Sequence, residues 1–252
     1  MDWLQELRDR RKGMLAGLPA KATLVARDCE RASLARAEKA VENQGDDAMR
    51  IALVGPLHWL FGADCLWFAE LLLAQSPERV EVHIDSPGGS VFEALALRAA
   101  LDTLRTRGST VHTAAGGMVA SAATLIFLAG TERTQYSYTR TLIHDVRGWL
   151  EVYGTESTIT EHYESFMGAL AAARESLRAL YLSAMPSAPI DDWLSGEDVW
   201  LTADQALAFG FATDTVEAET EDEDEQGEEA ELTPSIVNAW MDNFRNTLRI
   251  TM

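Results

Sequence analysis

Positive charge is scarce in this sequence. Against 40 aspartates and glutamates stand 21 lysines and arginines, a formal net charge of -19 over 252 residues. Such a surface repels phosphate, which argues against nucleic acid as a main partner. Much of the acid sits in one run near the C-terminus, so the folded part is less acidic than the average. Cysteine is nearly absent: Cys29 and Cys65 are the two in the chain, with neither the spacing nor the histidine neighbours of a metal site. Both read as reduced residues of a cytoplasmic protein. No uncharged apolar run approaches the ~20 residues of a membrane span, and "MDWLQELRDRRKGML" lacks the apolar core of a signal peptide. The phosphate-binding patterns G-x-x-x-x-G-K-[ST] and G-x-G-x-x-G are missing as well. What remains is a soluble intracellular protein with no membrane, nucleic acid, metal or cofactor in its expected chemistry.

Apolar residues are plentiful at 47%, enough for a sizeable core. Three zones follow one another. Residues 1–48 read as an N-terminal extension: a short amphipathic helix (Trp3, Leu4, Leu7), a strand at "ATLVA", and a charged helix through "CERASLARAEKAVE", ended by "NQGDDA". The middle zone, 49–215, alternates strands and helices. "MRIALVG" is a buried strand, "ADCLWFAELLLAQ" a helix, and "RVEVHID" a strand with Val80, Val82 and Ile84 on one face. Ser90 caps a helix carrying Val91, Leu95, Leu101 and Leu104 and stopped by Gly108. "STVHTAA" is the next strand, followed by Gly116-Gly117, the helix "SAATLIFLA", and short strands in "ERTQYSY" and "RTLIH". This alternation predicts a mostly parallel sheet with helices packed on it, an α/β fold.

One long helix is predicted over 156–185, stopped by Pro186, with a narrow seam of Ile159, Tyr163, Phe166, Leu170, Ala173, Leu177 and Leu180. At ~1.5 Å per residue it spans roughly 45 Å, more than a small domain covers. Its far end is therefore expected to pack on another subunit. Thr202 and Gln205 form a capping box opening "ADQALAFG". Residues 216–252 hold an acidic linker, "EAETEDEDEQGEEAE", and then a helix begun by Thr233 and Pro234 with Val237, Trp240, Phe244 and Leu248 on one side.

The chemistry is expected where "VEVHIDSPGGSVFEAL", residues 80–95, breaks from strand to helix at Ser86-Pro87-Gly88-Gly89. Open α/β sheets bind ligands at the carboxyl ends of parallel strands. A backbone free of Cβ atoms can turn N–H groups into that space, and one use of such a nest is an oxyanion hole. The next strand delivers "GGMVASAATL", with Ser121 opening a helix and the Ala122 N–H beside it as a second donor to that of Gly89. A serine needs a base, and the base an orienting acid. His144 closes "TLIH" at the strand end; Asp145, Glu197 and Asp198 are the acidic candidates. Residue types alone leave that choice open.

The pieces "IDSPGGSVFEAL", "GGMVASAATLIFLAG", "TLIHD" and "DVWLTADQALAFGFATD", in this order, resemble the Clp protease proteolytic-subunit family, and within it the phage head maturation (prohead) proteases. The resemblance covers 49–215. It implies a crotonase-like ααβ spiral with a long protruding helix, and Ser–His–Asp peptide hydrolysis. Carried over residue by residue, it implies Ser121 as nucleophile, His144 as base, Asp198 as acid, and Gly89 and Ala122 as oxyanion donors. The chain departs from the family pattern in reading "GMVAS" before the nucleophile, in placing "YSYTRT" where a proline often precedes the histidine strand, and in setting Glu197 beside Asp198. The phage branch implies capsid and scaffold proteins as substrates and a location in the host cytoplasm or assembling virion; the length of helix 156–185 adds the expectation of a homo-oligomer joined through it. Alternative readings are a Clp-type proteolytic subunit fed by an ATP-dependent unfoldase, a crotonase-type acyl-CoA enzyme, and a non-catalytic assembly protein.

Overall fold

The computed structural model describes residues 41–43, 48–58, 63–148 and 153–217, with the backbone alone for 41–43. The expected N-terminal helix and strand, Cys29, the acidic run and the helix after Thr233 lie outside the described residues.

Strand β1 (Val41–Asn43) pairs antiparallel with β2 (Ala48–Val54). The expectation of helix through residue 42 is corrected here: the sheet edge claims the last residues of that segment, because a neighbouring strand offers ladder hydrogen bonds that outweigh local helix preference. β2 runs parallel to β3 (Arg79–Ser86), and β3 parallel to β4 (Thr110–Ala120). Between them lie helices α1 (Cys65–Gln75) and α2 (Val91–Thr106). Val80, Val82 and Ile84 all point into the core as the alternation predicts, each contributing ~1.5–3 kcal/mol of apolar burial. Asp64 caps α1 through the Trp67 N–H, and Ser90 caps α2 through that of Glu93. Cys65 is a buried free thiol, its pKa pushed up by burial.

β4 is longer than its sequence suggests. It continues through Gly116-Gly117 to Ala120, so the helix that follows, α3 (Ala123–Phe127), is five residues rather than nine. The ladder accommodates this with a shift: Ile84 pairs with Ala115, but Ser86 pairs with Val119, leaving two extra residues on β4. The bulge is held by the Asp85 carboxylate, which accepts the Met118 N–H at 3.0 Å.

The remaining strands are β5 (Glu132–Tyr136), β6 (Arg140–Ile143), β7 (Val199–Leu201) and β8 (Asp214–Val216). The main path runs β1-β2-β3-β4-β5-β8, while β6 leaves it to pair with β4 and β7. Helix α4 (Glu156–Ala184) is the expected long helix. The short α5 (Ile190–Trp193) and β8 were not read from the sequence; α6 (Ala203–Phe209) was, down to the Thr202–Gln205 capping box. Ala173, Leu177 and Tyr181 are the buried residues of α4. Of the predicted seam, Ile159 and Tyr163 are exposed and Phe166 and Leu170 half-buried, so its first turns are uncovered; Met167, beside the seam, is exposed as well. Gly148 meets Phe166 and Leu170 about midway along.

Leu177→Ala is expected to destabilise the fold by about 2–5 kcal/mol, as for other buried leucines. Met167→Ser should stay within ~0.5 kcal/mol in dilute monomer. Urea unfolding of the two variants beside wild type checks the contrast.

Candidate functional site

The sheet itself gathers the expected residues. β4 changes partner halfway: residues 112–115 pair with 132–135 of β5, while 118–120 pair with 140–142 of β6. β6 then pairs antiparallel with β7, with Ile143 opposite Val199. Ser121 follows β4 by one residue, His144 follows β6 by one, and Asp198 precedes β7 by one. Three strand ends from distant parts of the chain thus deliver a hydroxyl, an imidazole and a carboxylate to one end of the sheet.

Ser121 sits in a tight turn. Its φ is +55°, one of two positive values outside glycine among the described residues. Its N–H donates to the Leu142 carbonyl at 2.9 Å, pinning the turn to β6, and its carbonyl accepts the Thr124 N–H at 3.0 Å. A β-carbon in this left-handed region costs about 1–2 kcal/mol and persists where surroundings over-determine it. The dipole of a five-residue α3 contributes less than the longer helix read from the sequence would.

The two glycines are needed for a reason the sequence did not disclose. A Cβ on Gly88 would lie 2.6 Å from the Ala120 carbonyl oxygen and 2.7 Å from the Ser121 Cβ. One on Gly89 would lie 2.4 Å from the Leu57 carbonyl oxygen. The 86–89 turn is therefore pressed between two other stretches of the same chain. The Leu57 N–H donates to the Gly88 carbonyl at 2.8 Å and the Ser90 N–H to the Leu57 carbonyl at 3.2 Å, while Ser86 Oγ accepts the Gly88 N–H at 3.1 Å. No hydrogen bond among the described residues takes up the N–H of Gly89 or of Ala122.

His144 is half-buried, and its Nδ1 lies 2.5 Å from the Asp145 carbonyl oxygen. A carbonyl only accepts, so Nδ1 carries the proton and Nε2 is left with a free lone pair. The acids are engaged elsewhere. Asp198 is hydrogen-bonded to the Arg147 guanidinium, both side chains being largely exposed. Asp145 accepts the Val146 N–H and pairs with Arg174 of α4 at 3.3 Å. Glu197 is exposed. No hydrogen bond among the described residues joins Ser121 to His144 or His144 to Asp198. The strand ends bring the three together; the side chains do not engage one another.

Three participants escaped sequence reading. Arg147 is an exposed loop residue with no motif around it. Thr124 read as part of an apolar helix, and Tyr181 falls one position past the predicted seam. The far end of α3 is also held by side chains: Arg98 donates to the Leu125 carbonyl, Arg105 to that of Ala129 and Arg133 to that of Gly130. Burial lowers the pKa of Arg98 and Arg133 from the usual guanidinium value. A cavity of about 160 Å³ is lined by His83, Asp85, His112, Gly116, Thr134 and Tyr136, among others; none of Gly89, Ser121, His144 and Asp198 lines it. No group of histidine, cysteine and carboxylate side chains suited to a metal ion occurs among the described residues, and no helix there is long and apolar enough to cross a membrane.

The Clp protease family model matches residues 47–219. The ATP-dependent Clp protease proteolytic subunit of Porphyromonas gingivalis is 30% identical over 154 residues, covering 56% of this chain and 63% of that one. Proteolytic subunit 3 of Rhodococcus jostii is 31% identical over 145 residues, covering 56% and 67%. The chain thus spans less than two-thirds of the first of these relatives. Among solved structures, a ClpP1 mutant from Listeria monocytogenes matches with a TM-score of 0.53 at 21% identity, over 68% of this chain and 92% of that one, a likeness of fold.

Gly88→Ala and Gly89→Ala should each destabilise the protein by at least about 1–3 kcal/mol, since both add a positive-φ penalty to a backbone overlap. Chemical denaturation reads the loss.

Proposed function

The chain belongs to the Clp protease family, and from that premise we propose that it is a serine endopeptidase with Ser121, His144 and Asp198 as its working side chains. The observation that carries this is the convergence of three strand ends beside the Gly88-Gly89 turn. His144 Nε2 takes the Ser121 proton as Oγ attacks a peptide carbonyl. The N–H groups of Gly89 and Ala122 hold the resulting oxyanion, and the imidazolium returns its proton to the leaving amine. Water then attacks the acyl-enzyme by the same route in reverse, freeing the serine. Asp198 stabilises the imidazolium once it turns from Arg147 toward Nδ1. Each oxyanion donor is worth ~10²–10³ in rate.

The catalytic domain is proposed as 49–215, between an N-terminal extension and a C-terminal acidic linker and helix. As substrate reading we favour capsid and scaffold proteins cleaved during phage head maturation, on the resemblance of the four motif stretches. A second reading, a proteolytic subunit working with an ATP-dependent unfoldase, is favoured equally by the names of the relatives. Incubating the protein with neighbouring capsid and scaffold proteins, and separately with an unfoldase and ATP, distinguishes them by which mixture yields fragments. Self-association through the uncovered part of α4 accompanies either reading. Tyr163→Ser should then lower the assembled fraction in analytical ultracentrifugation.

Ser121→Ala is expected to abolish cleavage and fluorophosphonate labelling while leaving fold and assembly intact; retained hydrolysis overturns the assignment. Arg147→Gln frees the Asp198 carboxylate and should raise the labelling rate by up to about fivefold, the worth of an exposed ion pair. An unchanged or lower rate argues against Asp198 as the acid.

A further inference from the structure

Tyr181 lies at the end of the covered stripe of α4 and is fully buried. Its hydroxyl is 2.6 Å from Thr124 Oγ1, which is itself 2.5 Å from the Ser121 carbonyl oxygen. Thr124 is also fully buried. The direction of these bonds follows from counting hydrogens. A threonine hydroxyl has one, and the Ser121 carbonyl can only accept it, so the bond to Tyr181 is donated by the phenol. Burial pushes the Tyr181 pKa up to about 12, which keeps that proton in place at working pH. A directed chain results: Tyr181 O–H to Thr124 O–H to Ser121 C=O.

The acceptor of that chain shares a peptide plane with the Ala122 N–H. In a trans peptide the C=O and N–H point in opposite directions. None of the peptide bonds among the described residues is cis. Whatever fixes the Ser121 carbonyl therefore fixes the Ala122 N–H, the second oxyanion donor. Thr124 binds that carbonyl twice, through its hydroxyl and its N–H. The N–H bond alone allows the plane to tilt; the hydroxyl, held in turn by Tyr181, supplies a second direction. A buried phenol with one partner would otherwise be a poor choice over phenylalanine, which fills the same space without a polar group to satisfy.

We propose that Tyr181 and Thr124 are positioning residues that aim the Ala122 N–H into the oxyanion hole, an inference that rests on the protease reading above. The interaction matters most where negative charge develops on the substrate oxygen, so its loss falls on the chemical step and spares ground-state binding.

The test is saturation kinetics of a fluorophosphonate probe on the full chain, followed by intact-mass spectrometry. In that reaction the Ser121 Oγ–P bond forms, the P–F bond breaks, fluoride leaves and the serine proton passes to His144. Tyr181→Phe and Thr124→Val should each lower the maximal inactivation rate by about threefold to tenfold, the worth of one hydrogen bond, with half-saturation unchanged. Thr124→Ser, which keeps the hydroxyl, should restore the wild-type rate, and the double variant Tyr181→Phe/Thr124→Val should be no slower than Thr124→Val alone. Wild-type rates in a folded Tyr181→Phe overturn the inference, and that variant decides alone should Thr124→Val not fold. A wild type unlabelled at Ser121 overturns the protease reading itself, whereas a labelled wild type with unaffected variants overturns the positioning role alone.

Discussion

Everything at the strand-end site depends on one close approach, the contact of the Gly88 backbone with the 120–122 backbone. The Gly88 α-carbon is too near the Ala120 carbonyl and the Ser121 side chain for any Cβ to stand between them. That contact forces the 86–89 turn and the Ser121 turn into one unit and brings the Gly89 and Ala122 N–H groups into the same neighbourhood. The ladder geometry upstream makes it possible. The two extra residues on β4 shift its last three residues onto β6 and aim the chain past the Gly-Gly turn. The Asp85 carboxylate, accepting the Met118 N–H, stops the bulge from relaxing back into register. An acid in the segment "IDSPGG" thus serves the geometry of the neighbouring strand rather than the chemistry.

Over-determination recurs around Ser121. Its N–H is bound to β6, its carbonyl to Thr124, and the far end of α3 to three arginines reaching from α2 and β5. A left-handed residue that carries a side chain is stable in such a frame because no single bond need supply the whole penalty. Arg133 does further work, donating also to the carbonyls of Gly210 and Phe211, so the end of α6 is tied to the same loop. The C-terminal end of α6 and the loop after α3 are parts of one hydrogen-bonded corner.

Much of this architecture was legible in the sequence because its signals are local. Ser90, Thr202 and Gln205 act on N–H groups three residues away, and Val80, Val82 and Ile84 repeat every second residue; both kinds of pattern survive tertiary context. The family and the strand-end location of His144 were legible from short motifs, whereas Ser121 was read as opening a helix and instead follows the end of β4. What failed to show was non-local. The continuation of β4 through two glycines depends on a partner strand twenty residues on, against the ordinary meaning of Gly-Gly as a break. The steric purpose of Gly88 and Gly89 depends on Leu57 and Ala120, and no spacing rule links residues so far apart. Tyr181 was passed over because the seam was read with a regular heptad step, and the helix turns its phenol inward one residue later.

The arrangement of the acids clarifies what the fold has and has not fixed. Imidazole tautomer is usually assigned to the carboxylate of a triad, yet here the Asp145 carbonyl already holds the proton on Nδ1. Nε2 consequently keeps its lone pair free of the proton whether or not Asp198 is near. In the proposed mechanism the carboxylate adds charge: it would stabilise the imidazolium, which exists only after the proton has moved. An Asp198 that rests on exposed Arg147 leaves the neutral state intact and withholds help from the charged one. Both groups lie near solvent, and the neighbouring Asp145 pairs with Arg174 of α4, so the balance between the two carboxylate positions is sensitive to the charges and chains that cover this end of the sheet. The backbone part of the site, being made of covalent geometry and buried hydrogen bonds, is not open to such adjustment. In the proposed site, the rigid half is the backbone around Gly89 and Ala122, and the adjustable half is the carboxylate of Asp198.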